Sequence, residues 1–529
     1  MSGGEQEPSW RRPLPDAAAA AAVFVILCVV FWRWREVPYY WDGVGYVYPH
    51  TREIFDRGLD PILRRYDVGH PPLFYFLCAV AWTLVGPGPF GAHLVTWGFS
   101  ALLGVAIFRS AREMSLPRDL AWGCSLATLT FPIVFASQLQ MQLDLPMTAL
   151  QLAAIYCWAR RRWSGYLLFG AAACLMKLYG FLFVPALMLA EVLTAGRFGE
   201  REKRWPLRRA LLLTAIPVLA YGVFLLVARW QRGPGLTVNH VPGNTIVPFW
   251  DWRVYQAHVA SAWTVLFRFP MLDTWLLVAA MLLATVGLAL LTSPVRRAEW
   301  SARLEPTRVR LAIGLVLVPL TLNAAFFLIT GLCSRYNLLL VPVLMLMIFS
   351  AAWWLIPRRA VLWPLVVITM GLNVLLWHPG NAAGFPASIR SLVQREPLAV
   401  AWAYEIDLRF LDMIRLAQWG PRIYWLGVSG DSANGLFITH WPLNVSYYQR
   451  EIGYAEHPFP TRFARSWDDV RAIMADPRYA AMPEFYVFTI QPIGDLLDPE
   501  GAGSLGFELV GERQAGELTA RLYRLRRGP

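Results

Sequence analysis

From residue 17 to residue 377 the chain is a succession of long apolar runs joined by short, mostly basic connections. No other feature restricts its fold as much. Crossing a bilayer takes roughly 20 apolar residues in a helix. In lipid every backbone N–H and C=O must be paired within the protein. The runs are Ala17–Trp32 and then about 72–86, 92–108, 119–137, 143–159, 165–175, 179–193, 210–228, 271–292, 309–330, 336–356 and 360–377. Composition agrees, with 56% hydrophobic and 16% charged residues, against about 25% charged in a soluble globular chain. The expected fold is a multispanning α-helical membrane protein. The first run has no small-residue cleavage site at its end, so it is expected to stay as an uncleaved span.

Charge sets the expected topology. The basic connections Arg109–Arg118, Arg160–Arg162, Arg197–Arg209, Arg296–Arg310 and Arg358–Arg359 belong on the cytoplasmic side. The segments around Asp42, Asp144, Lys177, Asn239 and Arg335 then face outward. Gly-Pro-Gly-Pro-Phe-Gly separates 72–86 from 92–108. These two runs are either one short and one full span or one broken span, and 72–86 can be a re-entrant or outer-surface helix. The net count is about 11 spans in the cell (inner or plasma) membrane, with the N-terminus cytoplasmic. The net charge of +12 is a topology signal, and no nucleic-acid partner is expected. Membrane lipids are the expected surroundings.

After His378 the apolar runs stop. Residues 1–377 read as the transmembrane domain and 378–529 as one soluble domain, large enough to fold by itself. Ile423–Val428 and Phe485–Ile490 are expected as buried strands. Ser466–Ala475 is expected as a Ser-capped helix with acids in its first turn. The C-terminal segment alternates like a hairpin around Gly516. The domain is expected to be α/β and, by parity, extracytoplasmic. It has no cysteine and hence no disulfide. The six cysteines, Cys28, Cys78, Cys124, Cys157, Cys174 and Cys333, lie in or beside apolar runs without metal-ligand spacing and read as small buried hydrophobes.

A few polar residues stand where a membrane chain keeps them only for a reason. Asp42 follows Tyr39-Tyr40-Trp41 and precedes Gly43 and Gly45. A carboxylate beside aromatics has a basis for a raised pKa and for proton abstraction. As a bland alternative it is a solvated loop acid or a helix N-cap. His70-Pro71-Pro72 opens an apolar run, and a helix N-terminus binds phosphate readily; it is equally a plain helix start. Asp144 precedes Pro146 at the start of another run, as a functional acid or as a cap. Lys177 interrupts an apolar stretch and must pair or snorkel. Arg335-Tyr336 supplies a second cation at the outer end of a span. The connection Arg229–Pro270, with Asn239, Asn244 and Trp250-Asp251-Trp252, is long enough to shape an acceptor groove. His240, His258 and His378 read as interfacial. There is no G-x-x-x-x-G-K-[ST], G-x-S-x-G or H-E-x-x-H, so P-loop, serine-hydrolase and zincin chemistry have no motif here.

Taken together, these residues resemble a family. Asp42 after span one, His70-Pro71-Pro72-Leu73-Phe74-Tyr75, Asp144-Leu145-Pro146-Met147, Gly170 to Lys177 with Gly180 and Pro185, and Arg335-Tyr336 to Pro342 are similar to the polyprenyl-phosphate-dependent GT-C glycosyltransferases, nearest the protein O-mannosyltransferase and aminoarabinose transferase group. The resemblance covers about residues 15–350. It implies a sugar donor linked to polyprenyl phosphate, transfer at the outer face, and a lipid, glycan or protein acceptor. In those roles Asp42 is the base and Asp144 a second catalytic-site acid that positions the acceptor or the loop. His70, Lys177, Arg335 and Tyr336 bind the donor phosphate, and Tyr46 and Trp250 bind the acceptor. No cofactor or nucleotide is implied, because the leaving group is already a lipid phosphate. The oligosaccharyltransferase branch requires a divalent metal, but its paired acids are not evident, so no metal is expected. Gly43 stands where many relatives have a second acid. His70 stands where some have Lys or Arg, which implies a pH-dependent phosphate contact. The rivals are a lipid-linked glycan transporter or polymerase, and a non-catalytic scaffold for lipid-linked sugar. A transporter usually shows internal repeats, and no convincing repeat is present.

Overall fold

The computed structural model of the chain describes residues 16–32, 35, 43, 47–59, 70–139, 141–177, 179–195, 247, 250–267, 272–296, 298, 305–329, 334–375, 435–439, 461–464, 466–491, 497–515 and 518–526, with scattered positions between 215 and 230. The chain divides into two compact units, residues 1–38 with 50–405, and residues 39–49 with 406–529.

The larger unit is helical. Its first elements are α1 (Asp16–Phe31), α2 (Tyr48–Arg57, which begins in the other unit), α3 (Leu73–Val85) and α4 (Pro89–Glu113). Next come α5 (Arg118–Leu129), α6 (Pro132–Leu139), α7 (Asp144–Ala159), α8 (Trp163–Cys174) and α9 (Phe183–Ala195). Then follow α10 (Trp252–Phe267), α11 (Leu272–Thr292), α12 (Pro306–Phe326), α13 (Leu340–Leu355) and α14 (Arg359–Leu375). Among the described residues, Pro89–Glu113, Trp275–Thr292 and Pro306–Phe326 are long and apolar enough to cross a membrane. Six further apolar helices are shorter. Within the expected run 210–228, residues 215, 217–224 and 226–227 are described, and they are helical.

α4 is the hub, packed against α1, α3, α5 and α7. Its 25 residues reach about 37 Å at 1.5 Å per residue. Two of its buried hydroxyls are satisfied within the helix: Thr96 Oγ1 donates to Ala92 O at 3.0 Å and Ser100 Oγ to Thr96 O at 2.9 Å. The Gly-Pro-Gly-Pro sequence resolves as a sharp turn between two separate helices. Gly86 has φ +87°, a value that L side chains rarely adopt. Trp82 Nε1 donates to Gly88 O at 2.9 Å and locks α3 against α4.

The two ends of the bundle are held differently. At one end Arg160 pairs with Glu113 at 3.0 Å, while Glu191 accepts from Trp158 Nε1 at 3.1 Å and Arg161 at 2.5 Å. Arg310 Nε donates to Ala159 O at 3.0 Å and Arg308 Nε to Glu113 O at 2.8 Å. These contacts gather the C-terminal ends of α4, α7 and α9 and the N-terminal end of α12. Asp144, the first residue of α7, lies at the other end, about 23 Å away along that helix.

In the second unit a five-stranded sheet has strands β1 (Gly435–Thr439), β2 (Thr461–Phe463), β3 (Glu484–Gln491), β4 (Glu508–Ala515) and β5 (Leu518–Arg526), in the order β2-β1-β3-β5-β4. β1 runs parallel to β2 and β3, and β5 runs antiparallel to β3 and β4. Two helices, α15 (Trp467–Ala475) and α16 (Pro499–Ser504), accompany it. Trp467, Val470 and Ala502 pack with Leu436, Ile438, Phe485, Val487 and Tyr523 of the strands. α15 starts where its residues dictate. Ser466 Oγ accepts from Asp469 N and Asp469 Oδ2 from Ser466 N, each at 3.3 Å, a reciprocal capping box. Ile423–Val428 and Gly516 lie outside the described residues.

Candidate active site

The chemistry-bearing residues of the helical unit gather around one carboxylate. Asp144 is 1% exposed. Its Oδ1 accepts from Lys177 Nζ at 2.5 Å and Tyr179 Oη at 2.8 Å, and its Oδ2 accepts from Arg335 Nε at 3.1 Å. The Lys177 and Arg335 side chains are only 4% and 6% exposed. Two cations share one buried anion, so the three side chains together carry one net positive charge. Burying a charge is tolerable only when it is paired and hydrogen-bonded, and each of the three is.

Each member is placed by a local break in regular structure. Lys177 sits where α8 has ended and before a short 3₁₀ turn, Gly180–Leu182, that leads into α9. α8 starts beside the Arg161 end, and Glu191 of α9 returns to it, so Lys177 lies at the far turn of an antiparallel pair. The turn depends on Gly180: a Cβ there would lie 2.1 Å from Ala173 O. Arg335 and Tyr336 come from the 3₁₀ turn Ser334–Asn337, which precedes α13. That turn is tied down by Asn337, which accepts from Asn323 Nδ2 of α12 at 2.9 Å and donates to Leu266 O of α10 at 3.3 Å.

Aromatic rings enclose the cations. Lys177 Nζ lies 4.3 Å from the Tyr336 ring centroid and 4.7 Å from that of Tyr179. Tyr179, Phe326 and Tyr336 contact one another at 5.1 to 5.6 Å between centroids. The cation–π contacts favour positive charge here and offset part of the cost of burying it. Tyr179 is the member that the sequence motifs did not single out. Its signal was an aromatic hydroxyl two residues after a buried lysine, in a segment too irregular to be helix.

His70 stands just before α3, whose Leu73 N donates to Leu175 O at 3.3 Å and so ties the His-Pro-Pro segment to the Lys177 turn. Burial of the imidazole pushes its pKa down to about 3, with Lys177, Arg335 and His50 adding to the fall and Asp144 opposing it. His70 is therefore neutral near pH 7 in this arrangement, a hydrogen-bonding group rather than a third cation. Trp250 is exposed in the turn before α10, at the opposite end of that helix from Leu266. Asp42 and Tyr46 lie outside the described residues. Among the described residues no group of three or more His, Cys, Asp or Glu side chains is placed to hold a metal ion.

Residues 69–224, which include His70, Asp144 and Lys177, match the family described as dolichyl-phosphate-mannose-protein mannosyltransferase. The fold is shared with ArnT from Cupriavidus metallidurans bound to undecaprenyl phosphate, with a TM-score of 0.55 and 14% identity over 96% of this chain and 98% of that one. ArnT from the same organism in the apo state gives a TM-score of 0.53 and 15% identity with the same coverage. No curated protein sequence matches the chain. The motif resemblance, the family match and the fold thus agree on a GT-C architecture.

Proposed function

We propose that this chain is an integral membrane glycosyltransferase that takes a sugar from a polyprenyl-phosphate donor and places it on an acceptor hydroxyl at the extracytoplasmic face. The buried Asp144–Lys177–Arg335 cluster carries the proposal. It sets two enclosed cations side by side on one carboxylate, an arrangement that suits a phosphate anion. A lipid phosphate supplies it, and its charge grows as the glycosidic bond breaks. Preorganised cations in a water-poor site stabilise such developing charge strongly. The family match over residues 69–224 and a shared fold with a protein solved with undecaprenyl phosphate support the same donor class.

In this reaction the acceptor oxygen attacks the anomeric carbon and the bond to the phosphate oxygen breaks, with inversion. Polyprenyl phosphate leaves as an anion held by Lys177 and Arg335, with Tyr336 packed against Lys177. Neutral His70 offers a hydrogen bond to the phosphate. Asp42 accepts the acceptor proton and Tyr46 borders the acceptor path, whereas Trp250, at the far end of α10 from the Arg335 turn, is given no part in the reaction centre. Asp144 keeps Lys177 and Arg335 in place, so it acts on the reaction through them. The sugar moves from one oxygen to another, and neither nucleotide nor cofactor enters the balance.

The test supplies membranes containing the protein with radiolabelled polyprenyl-phosphate sugars and an extract of envelope lipids, glycans and proteins. Wild-type membranes are expected to consume one donor and Asp42→Asn to lose transfer by about a hundredfold or more, the usual size of a general-base effect. Transfer by Asp42→Asn at the normal rate removes Asp42 as the base. A wild-type protein that binds donor and never consumes it makes the chain a scaffold.

A further inference from the structure

α1 packs mainly on α4, and α5 packs on α4, α13 and α14. Between α1 and α5 lies a slot of about 300 Å³. Beside it α5 packs closely on Gly104 of α4, where a Cβ would meet Leu129 Cδ1 and Ser125 Oγ at 3.2 Å. The walls are apolar, and Ile26 of α1 and Leu126 of α5 are 58% and 45% exposed, so the slot opens sideways, where a bilayer would be.

One end of the slot is different. Arg109 of α4 and Arg118, the first residue of α5, both line it. Trp122 stacks on Phe108 at 4.3 Å beside them. Asp119, next to Arg118 in the chain, accepts from Trp363 Nε1 at 3.1 Å and pairs with Arg359 at 3.7 Å. Below the arginines the one hydroxyl of the lining, Ser125 Oγ, donates to Gly104 O at 2.9 Å. From Arg118 the wall continues along α5 to Leu129, about 16 Å of helix. Two cations at the mouth of a narrow apolar channel match an anionic head on a hydrocarbon chain. They lie at the Glu113–Arg160 end of the bundle, opposite the Asp144 cluster.

We propose that this slot binds one anionic phospholipid, with its phosphate between Arg109 and Arg118 and one acyl chain lying between α1 and α5. A zwitterionic lipid offers the same chain and phosphate, but its ammonium group offsets the attraction. The lipid packs α1, whose outer face is otherwise bare, against the hub. This site is separate from the sugar-transfer site and stands whether or not transfer occurs.

The test is native mass spectrometry of the full chain in neutral detergent, titrated with phosphatidylglycerol, phosphatidylcholine and polyprenyl phosphate. Phosphatidylglycerol is expected to be retained more strongly than phosphatidylcholine. Arg118→Gln is expected to weaken its retention about fivefold, the attraction of one basic residue to an anionic lipid surface. Ala22→Phe, which fills the slot from its lipid side, is expected to remove the preference. Arg57→Gln, an exposed charge on α2, is expected to leave it unchanged. Equal retention of the two phospholipids overturns the proposal. So does Arg118→Gln binding like wild type, or polyprenyl phosphate displacing the phosphatidylglycerol.

Discussion

Asp144 holds Lys177 and Arg335 at once, and that makes it the residue whose loss is felt most widely. Asp144→Ala takes from two buried cations the carboxylate that they share. Removing one partner of a buried ion pair typically costs about 3–5 kcal/mol, and that loss is expected here. Thermal and denaturant unfolding in detergent measure it, and Asp144→Ala combined with Lys177→Met should recover part of it. Additive losses from the two changes would mean that the carboxylate and the ammonium do not interact. The sequence made each residue suspicious because a charge in an apolar run is costly, but it did not tell which charges meet. Lys177 and Arg335 are 158 residues apart in the chain, and only the fold shows that one carboxylate binds both. Burial also changes the character of His70. The sequence implied a pH-dependent phosphate contact at His70, whereas burial of the ring beside Lys177 and Arg335 pushes its pKa down to about 3 and keeps it neutral.

At the scale of elements, most apolar runs return as helices where the chain is described, because lipid leaves the backbone few alternatives, but the run 119–137 divides into α5 and α6, and α2 and α10 lie in segments read as connections. The interruptions were harder to read. Gly-Pro-Gly-Pro left open whether 72–108 held one broken helix or two, and positive φ at Gly86 together with the Trp82–Gly88 bond decides for two. The Lys177 turn is the more consequential break, since it sets the position of a buried charge. Its geometry rests on Gly180, whose missing side chain lets the turn approach Ala173 O. Gly180→Ala forces backbone against backbone, so the turn must move. The expected cost is at least the 1–3 kcal/mol typical of overpacking, and sugar transfer should fall with it. Gly98→Ala in α4 is the matched control: nothing lies within 4 Å of a Cβ there, and alanine is the better helix former by about 1 kcal/mol. Equal effects of the two changes on stability and transfer would show that Gly180 carries no special constraint.

For the whole molecule, the same bundle has two chemically distinct ends. One is laced by Arg160, Arg161, Arg308 and Arg310 to Glu113, Glu191 and backbone carbonyls. The other holds Asp144, Lys177 and Arg335. Both ends are rich in cations, but the first belongs to the basic connections and the second does not. Positive residues in short connections stay on the cytoplasmic side. The Arg161 end is therefore expected inside and the Asp144 end outside, where a lipid-linked donor and an envelope acceptor would meet. Glu191, an acid in an otherwise apolar helix, gave no hint in the sequence that it anchors the Arg161 end, because its arginine partner is 30 residues away. Cysteine labelling of intact cells tests the orientation, using a variant with the native cysteines replaced. Arg57→Cys on α2 follows the first span and is expected to react with a membrane-impermeant maleimide. Arg358→Cys, in the basic connection before α14, is expected to react only after the cells are opened. The opposite pattern would invert the bundle and move the proposed transfer to the cytoplasmic face. Equal labelling at both positions would mean that they share a side, and the charge-derived topology would fail.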